Sequence, residues 1–596
     1  MTTQRNGVDW RLFALVFALT AAAYVARAVL TQGSVPLFND TDDAMRLVEI
    51  RDFLGGQGWY DLIQHRLNTP FGAEMHWSRL IDAPIAGLML LLHPLAGDLT
   101  ESVAAYVWPL LLLGVLMQLS AGISVRLAGP EAALPGLVLP AFSLISMVEF
   151  APGRIDHHSV QILLALTMLL CLIEAIERSR MAFAAGLATA CAIAIGAESL
   201  PTAVAGALAA GLIWVIDGRH AALLRNFGAS FAFGTLALLV LALPPERWFK
   251  PYCDAISVVY AAAAVGTGLF FVLLSLLPLA RRVPTQRLAA GGFAGVAVVA
   301  LLYQVFPTCF HGAYSNLDPW LITHWIDRID EAKPLWVAFF SNPSYVAAVG
   351  LPPLLAVLVT LYHLFHPNTA WRSRWVAYAV VLLLAIAVML LQVRGARLAT
   401  TLAAPAGAAL IVAARASYLA QKGVFPVMGL VAGWVGFAGL ALALMANSVL
   451  TLLPGATSAP DNTPQSAQKA SCLMPAAFVP LAGLPKARIM APIDLGSHLL
   501  AFTPHEVVGA PYHRDVAGLH DSFDFFNAPI AEARAILVSR GISLVVICPS
   551  MPELKGLPDA DAGAFVHLYA QHTLPDWLKL VSVPGATLEI YTVKPL

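Results

Sequence analysis

The stretch Phe38-Asn-Asp-Thr-Asp-Asp-Ala-Met-Arg-Leu-Val-Glu-Ile-Arg-Asp-Phe53 lies a few residues after the first long apolar run, residues 12–30. An apolar run of about twenty residues can span a bilayer, so this stretch emerges at a membrane surface. Its acids Asp40, Asp42 and Asp43 crowd into four positions. Close carboxylates repel one another unless a cation neutralises them, but acids are also common at the N-terminus of a helix. The stretch therefore predicts either a cation site or a helix cap at a membrane edge.

The composition is that of a membrane protein. Of the 596 residues, 59% are hydrophobic and only 12% are charged, and the mean hydropathy is +0.74. These values exclude an ordinary soluble protein. The net charge of -1 gives no reason to expect nucleic acid as a partner. The first apolar run follows Arg5 and Arg11 but is long enough to be a retained helix and not a cleaved signal peptide.

Apolar runs of spanning length predict about thirteen transmembrane helices. Basic residues such as Arg178, Arg180, Arg219 and Arg225 fall in alternate loops, and such residues collect on the cytoplasmic side. The N-terminus is therefore expected in the cytoplasm, with the acidic stretch and the C-terminal tail outside, in a multi-pass protein of the bacterial inner membrane. The predicted helices lie near 11–31, 104–127, 133–150, 157–176, 181–196, 199–217, 224–243, 254–279, 287–306, 344–366, 374–393, 396–416 and 424–447.

The predicted fold is a polytopic α-helical membrane domain, 1–450, a linker, 451–470, and a periplasmic α/β domain, 471–596. The linker is rich in Pro, Ser, Thr and Gln. The last domain combines strand-like runs with a helical pattern at 530–540. It also contains Cys472 and Cys548, which could form a disulfide outside the cytoplasm.

Two long outer segments interrupt the membrane helices, at 32–103 and 307–343. Long outer loops carry function more often than scaffold. The apolar run 83–95 within the first segment is short and ends at His93-Pro94. We interpret it as a helix that lies on the membrane surface.

A second acidic cluster stands at the outer end of the third predicted helix, in Gly153-Arg-Ile-Asp-His-His158. Asp156 and His158 are two positions apart, so in an extended segment their side chains point the same way. A carboxylate and an imidazole in that arrangement suit one metal ion. The alternative is a hydrogen-bonded histidine at the membrane interface. Asp42 on the same membrane face favours the metal site.

Three further motifs follow along the chain. The fifth outer segment contains Ile326-Asp-Arg-Ile-Asp-Glu-Ala-Lys-Pro334, and the twelfth predicted helix begins at Arg397, with Arg394 just before it and Pro405 within it. The last domain contains Ala491-Pro-Ile-Asp-Leu-Gly496 and, beyond it, His505, His513 and Arg514 in a loop-like run.

In this order the motifs resemble those of the catalytic subunit of oligosaccharyltransferases, membrane enzymes of the GT-C class. That family has thirteen membrane helices, long first and fifth outer loops and a C-terminal outer domain. In its motifs an Asp precedes a Glu and an Arg-Asp pair, as Asp42 precedes Glu49 and Arg51-Asp52 here. Gly153 and Asp156 match its second-loop motif, and Glu331 matches the Glu of its fifth loop.

The resemblance implies glycosyl transfer from a polyprenyl-phosphate or polyprenyl-pyrophosphate donor in the membrane lipid. A divalent metal would be held by Asp42, Asp156 and His158, with Asp40 or Asp43 behind them. The metal would be Mg²⁺ or Mn²⁺, and the imidazole shifts the preference toward Mn²⁺.

The remaining roles follow from the same resemblance. Arg397, with Arg394 as its rival, would bind the donor phosphate, because a guanidinium suits that geometry. Glu331 and Asp42 would orient and activate the acceptor.

One motif departs from the family. Its outer domain begins with Trp-Trp-Asp-Tyr-Gly, which reads the hydroxyl of an Asn-x-Ser/Thr acceptor; here only Asp494 and Gly496 match. We therefore expect an acceptor other than this sequon: a glycan, a lipid-linked sugar or a protein hydroxyl. Asp494, His505, His513 and Arg514 are candidate contacts to the acceptor or to donor glycan.

Two other functions remain open. A lipid-linked polysaccharide ligase would lack the acidic cluster in its first outer loop. A transporter or flippase would place charged residues near the middle of the membrane and repeat its helices.

Overall fold

Helices make up most of the chain in the computed structural model, which describes residues 8–315, 317–367, 372–452, 464–583 and 585–594. The helices are α1 Trp10–Thr31, α2 Thr41–Leu54, α3 Arg79–Ala96, α4 Thr100–Ala128, α5 Ala133–Ala141, α6 Leu144–Glu149, α7 His158–Ala175, α8 Met181–Ile195, α9 Leu200–Ile216, α10 Ala221–Ala242, α11 Val258–Leu276, α12 Pro284–Val305, α13 Pro319–His324, α14 Leu335–Ser341, α15 Pro343–Phe365, α16 Arg372–Leu391, α17 Ala396–Ala420, α18 Val424–Gly436, α19 Gly439–Thr451, α20 Pro464–Cys472, α21 Pro475–Ala482, α22 Ile493–Phe502, α23 Val516–Asn527, α24 Ile530–Arg540 and α25 Phe565–Ala570.

The strands are short and lie outside the helical bundle. They are β1 Ile63–Gln64, β2 Ala73–Glu74, β3 Arg488–Met490, β4 Glu506–Val507, β5 Leu544–Ile547, β6 Leu578–Leu580 and β7 Glu589–Val593. The first two form an antiparallel pair in the first outer segment.

Ten helical segments of the described chain are long and apolar enough to cross a membrane, or eleven if α18 and α19, which are bent by 94°, count as one. Every predicted span coincides with helix, but two of the thirteen, besides the bent pair α18 and α19, do not contain an unbroken helix of this length. Residues 133–150 are broken into α5 and α6, and α8 has only 15 residues. Apolar composition does not reveal where a helix breaks.

The predicted surface helix at 83–95 lies within α3. A single turn, Gly97–Leu99, joins α3 to α4, and the two together form an apolar segment of 50 residues. How α3 lies relative to the bilayer remains a prediction.

Small side chains let α17 pack at the centre of the helical bundle. Ala399, Ala403, Ala406 and Ala409 are each 3% exposed or less, and such residues let membrane helices approach closely. The helix packs against α4, α5, α15 and α16. Its N-terminal turn, which carries Arg397, is thereby held beside the second outer segment.

The outer domain is α/β, as predicted. Its five strands are ordered β4-β3-β5-β7-β6, with β3 parallel to β4 and β5 and with β7 antiparallel to β5 and β6. Cys472 and Cys548, whose pairing the sequence left open, form a disulfide, and a second disulfide that we did not predict joins Cys253 to Cys309. Residues 453–463 of the predicted linker lie outside the described residues, and helix is present from Pro464.

The outer domain packs directly on the stretch 38–53. His498 Nε2 lies 2.9 Å from the carbonyl oxygen of Phe38, and the Tyr512 hydroxyl donates to that of Thr41 (3.1 Å). Met45 and Val48 of α2 share a buried core with side chains of α22 such as Leu495. The acidic start of α2 is therefore enclosed between the membrane helices and the outer domain.

Gly153 lies where the outer turn 150–157 comes very close to Leu37 of the first long outer segment, 32–103. Its φ is +97°, and a Cβ there would lie 1.8 Å from the carbonyl oxygen of Leu37. Its N–H donates to the carbonyl oxygen of Ala105 (2.8 Å). Only glycine combines this backbone conformation with so close a backbone neighbour.

We expect Gly153→Ala to lower the melting temperature of the detergent-solubilised protein strongly, because backbone must move to admit the Cβ. Gly129→Ala is the matched control, since its φ is +89° but nothing lies within 4 Å of the added Cβ. The control should show only the backbone cost of about 1–3 kcal/mol. Equal losses in the two variants would contradict the close approach.

Candidate functional site

Asp43 binds the first long outer segment, 32–103, to the outer turn that contains residues 154–156. It is fully buried, and its Oδ1 accepts hydrogen bonds from the backbone N–H groups of Ile155 (2.8 Å) and Asp156 (3.0 Å). Its Oδ2 accepts from Nη1 of Arg154 (2.8 Å). All three partners orient the turn that carries the predicted metal ligands. Asp43 therefore supports this turn.

Asp40 is the N-cap of α2, as the simpler interpretation of the acidic stretch predicted. Its Oδ1 accepts from the backbone N–H of Asp42 (3.0 Å), and its Oδ2 lies 2.8 Å from Arg154 Nη1. The cap and the cation site are not exclusive. Asp40 caps the helix and Asp43 binds the turn, while the Asp42 carboxyl is close enough to Asp156 to feel its charge.

Arg154 is the central cation of this region, and our sequence analysis did not single it out. Besides Asp40 and Asp43, it contacts Glu149 (3.3 Å) and Asp156 (3.8 Å). Burial disfavours its charge, but Asp43 and Asp40 raise the pKa of Arg154 well above its usual value. The sequence feature that could have identified Arg154 is its position inside the motif that begins at Gly153.

Asp156, His157 and His158 form the one group of three metal-ligand residues that lie close together in the described part of the chain. Their donor atoms all lie within 4.8 Å of one another, and all three side chains are buried. Asp156 Oδ1 accepts from the backbone N–H of His157 (2.6 Å) and contacts Nδ1 of the same residue. Asp156 Oδ2 lies 3.2 Å from His158 Nε2. His157 is an addition to the predicted set.

Asp42 lies beside this group. Burial, together with the negative charges of Asp156 and Asp40, raises the pKa of Asp42 well above its usual value. A carboxyl held against other carboxylates in this way is stabilised as an anion by a cation.

The residues present fit a divalent metal. Asp156 Oδ2 is buried and receives no hydrogen bond, and a buried carboxylate oxygen without a donor is costly. Two carboxylates and one imidazole are ligands that Mn²⁺ accepts. Asp156 and His158 belong to the group whose ligand atoms lie close together, and the addition of Asp42 to them stays a prediction.

The opposite charge at His157 balances part of this group. Burial disfavours the charged ring, but Asp156 and Glu198 raise the pKa of His157 to about 10. The two carboxylates therefore favour the protonated ring.

Arg397 and Glu331 meet the predicted metal ligands. Arg397 contacts Glu331 Oε2 through Nη2 (2.8 Å), His158 Nε2 through Nη1 (3.0 Å) and Glu149 Oε1 through Nε (2.9 Å). The rival Arg394 donates from Nε to Oε1 of Gln392 (2.9 Å). Residues far apart in the chain thus form one cluster at the outer end of α17.

The acids around Arg397 differ in exposure. The Glu331 side chain is 47% exposed and the Glu149 side chain 5%. Glu331 is therefore the partner that a molecule arriving from outside can displace.

The predicted contacts in the outer domain have partners of their own. His513 Nε2 and Arg514 Nε each lie 2.7 Å from Asp254 Oδ2, and Asp494 pairs with Lys469 (2.8 Å). His505 is fully buried, accepts from the backbone N–H of Ala487 (3.1 Å) and lies 2.9 Å from the carbonyl oxygen of Leu481. In this conformation the His505 ring has no nitrogen left for a glycan.

The fold is similar to that of solved oligosaccharyltransferases. The archaeal oligosaccharyltransferase AglB from Archaeoglobus fulgidus, in complex with an inhibitory peptide and a dolichol-phosphate, matches with a TM-score of 0.64 at 13% identity, over 97% of this chain and 74% of that one. The Archaeoglobus fulgidus enzyme in complex with Zn and sulfate matches with a TM-score of 0.63 at 13% identity, over 98% and 74%.

A third structure of the Archaeoglobus fulgidus enzyme is tethered with an acceptor peptide containing the NVT sequon. It matches with a TM-score of 0.64 at 14% identity, over 98% of this chain and 74% of that one. No protein-family model and no curated protein matches this sequence. The chain thus has the predicted GT-C fold with an outer domain.

We expect Asp43→Asn to lower the melting temperature by several degrees. The amide loses charge toward Arg154, and its nitrogen cannot accept one of the hydrogen bonds, which together cost about 1–3 kcal/mol. Asp42→Asn is the matched variant and should leave the melting temperature unchanged or raise it, because it removes repulsion from Asp156. Thermal unfolding in detergent with chelator present measures both. A larger decrease in melting temperature for Asp42→Asn would show that Asp42, and not Asp43, supports the turn.

Proposed function

We propose that this chain is a GT-C glycosyltransferase. It transfers a sugar or oligosaccharide from a polyprenyl-phosphate or polyprenyl-pyrophosphate to an acceptor on the extracytoplasmic face. The observation that carries the proposal is the contact of Arg397 with His158, which places a guanidinium beside a metal-ligand group at the end of a membrane helix. A donor anchored in the lipid presents its phosphate at this depth.

The residues divide the chemistry among them. A divalent metal held by Asp42, Asp156 and His158 would neutralise the charge that develops on the leaving phosphate. Arg397 binds the same phosphate, and Glu331 accepts a hydrogen bond from the acceptor hydroxyl. As the bond between the sugar carbon and the phosphate oxygen breaks, the acceptor oxygen bonds to that carbon and its proton passes to Glu331.

The disulfides support an extracytoplasmic site. Cys253–Cys309 and Cys472–Cys548 all lie in segments that the charge pattern places outside, whereas Cys171 and Cys191 lie within helices and are free thiols. Disulfides persist in oxidising compartments such as the bacterial periplasm. We accordingly place the chain in a bacterial inner membrane with its outer domain in the periplasm.

Donor binding requires Glu331 to leave Arg397, because the guanidinium is already occupied by three partners. We expect Glu331→Gln to bind the lipid-linked donor roughly two- to fivefold more tightly, since a half-exposed ion pair competes with only about 0.5–1 kcal/mol. The same variant should turn over more slowly, because it lacks the acceptor's base. Donor affinity and kcat are measured separately in detergent.

Arg397→Ala should weaken donor binding by about ten- to a hundredfold and change the acceptor KM little. Arg394→Ala is its matched control. If only the Arg394 variant bound the donor more weakly, Arg394 and not Arg397 would be the residue that binds the phosphate. Weaker donor binding in Glu331→Gln would mean that Glu331 helps to hold the donor.

The acceptor is proposed to be a hydroxyl outside an Asn-x-Ser/Thr sequon. At the corresponding position this chain has Ala491, Pro492 and Ile493, none of which carries an indole N–H. Ile493 is buried, and Ser497 lies 3.2 Å from the Tyr512 hydroxyl, toward α2. A site that selects an acceptor hydroxyl needs polar partners for it.

The test is a transfer assay with purified protein and the lipid-linked sugars of its own cells. The acceptors are a sequon peptide, the same peptide with Ala in place of Ser or Thr, and the cell's envelope glycans. We expect transfer to the glycans, loss of transfer with chelator, recovery with Mn²⁺, and no transfer by Asp156→Ala. Sequon-dependent transfer to the first peptide alone would contradict the proposed acceptor class. Full activity of Asp156→Ala in chelator would contradict a metal-assisted reaction.

A further inference from the structure

We propose that Glu198 is the positioning residue of the metal site and that it orients both Asp156 and His158 through two separate side chains. The inference rests on the proposed function in taking those two residues as metal ligands. It assigns a different role to His157, which would hold Asp156 and not the metal.

The first path runs through His157. Glu198 Oε1 lies 2.7 Å from His157 Nε2, and the other ring nitrogen contacts Asp156 Oδ1. An ionised carboxylate only accepts hydrogen bonds, so the ring bridges two acceptors and is held at both ends. Both of its nitrogens are used, which leaves none for a metal.

This bridge decides which oxygen of Asp156 is available. Oδ1 is taken by the ring and by the backbone N–H of His157 (2.6 Å). Oδ2 receives no hydrogen bond and lies 3.2 Å from His158 Nε2. These are the carboxylate oxygen and imidazole nitrogen that would bind the ion, and Arg397 Nη1, which lies 3.0 Å from the same nitrogen, would leave it when the ion binds.

The second path runs through Gln161. Its Nε2 donates to Glu198 Oε1 (3.4 Å), and its Oε1 lies 3.2 Å from Nδ1 of His158. The amide oxygen there accepts a hydrogen bond from Nδ1–H of His158, and in that tautomer Nε2 carries no proton. Histidines that bind metals commonly donate their second N–H in this way.

The chain provides the space for this arrangement at Gly196. A Cβ at that position would lie 2.5 Å from Nε2 of Gln161. Glu198 follows two residues later, in the turn Ala197–Ser199 that begins α9. The turn between α8 and α9 thus orients both Asp156 and His158 through the contacts of Glu198.

The test measures Mn²⁺ binding to the full-length protein, without tag, from the electron paramagnetic resonance signal of the free ion. We expect Glu198→Gln to bind Mn²⁺ about ten- to a hundredfold more weakly, the usual cost of losing an outer-shell partner. Gln161→Leu should weaken binding less, because it removes only the path to His158. Glu246→Gln, which changes an exposed acid on the same face, is the matched control and should bind as the unaltered protein does.

A second readout separates positioning from stability. In the transfer assay, Glu198→Gln should need more Mn²⁺ for half-maximal rate and recover most of its kcat at saturating Mn²⁺. Unchanged Mn²⁺ affinity in both Glu198→Gln and Gln161→Leu would overturn the inference and leave the proposed function intact. If Glu198→Gln does not fold, Gln161→Leu alone decides. Failure of the unaltered protein to bind Mn²⁺ would instead overturn the metal-assisted function.

Discussion

The hydrogen bonds that the Asp43 carboxylate accepts from two consecutive backbone N–H groups are the constraint on which the rest of the site depends. They join α2 to the turn 154–156, so the two acidic segments lie side by side. Arg154 then lies among Asp40, Asp43, Glu149 and Asp156 and offsets much of their charge. A buried acidic group of this size is stable only because each carboxylate has a cation or N–H partner.

A second buried network supports α2 from behind. Arg46 pairs with Asp82 (2.7 Å) and Glu49 (3.3 Å) and stacks on Trp77, with its guanidinium 4.2 Å from the ring centroid. Arg79 also pairs with Asp82 (3.0 Å). Removing one partner from such a network leaves an unpaired buried charge, which is far costlier than the pair itself is stabilising. The network therefore holds the first outer segment in one arrangement, and the outer domain closes over it through α22.

The acids around the candidate site differ in exposure. Asp43 is buried, whereas the side chains of Glu198 and Glu331 are 36% and 47% exposed. Glu331 reaches Arg397 from a loop. The proposed transfer from a lipid-anchored donor would need a fixed group of ligands and one contact of Arg397 that the donor can displace. The structure combines these two properties in the surroundings of a single arginine.

The sequence by itself determined the class of fold, the helical regions, the outer α/β domain and five of the residues that gather at the site, because hydropathy and short motifs are local properties. It predicted neither the break between α5 and α6 nor the disulfide Cys253–Cys309. It also missed Arg154, His157 and Glu198 as parts of the site. Their roles arise from contacts between segments up to 114 residues apart, as for Arg154 and Asp40, and such contacts are set by packing. Only the tertiary structure decided which of three neighbouring acids caps a helix, which supports a turn and which faces the metal ligands.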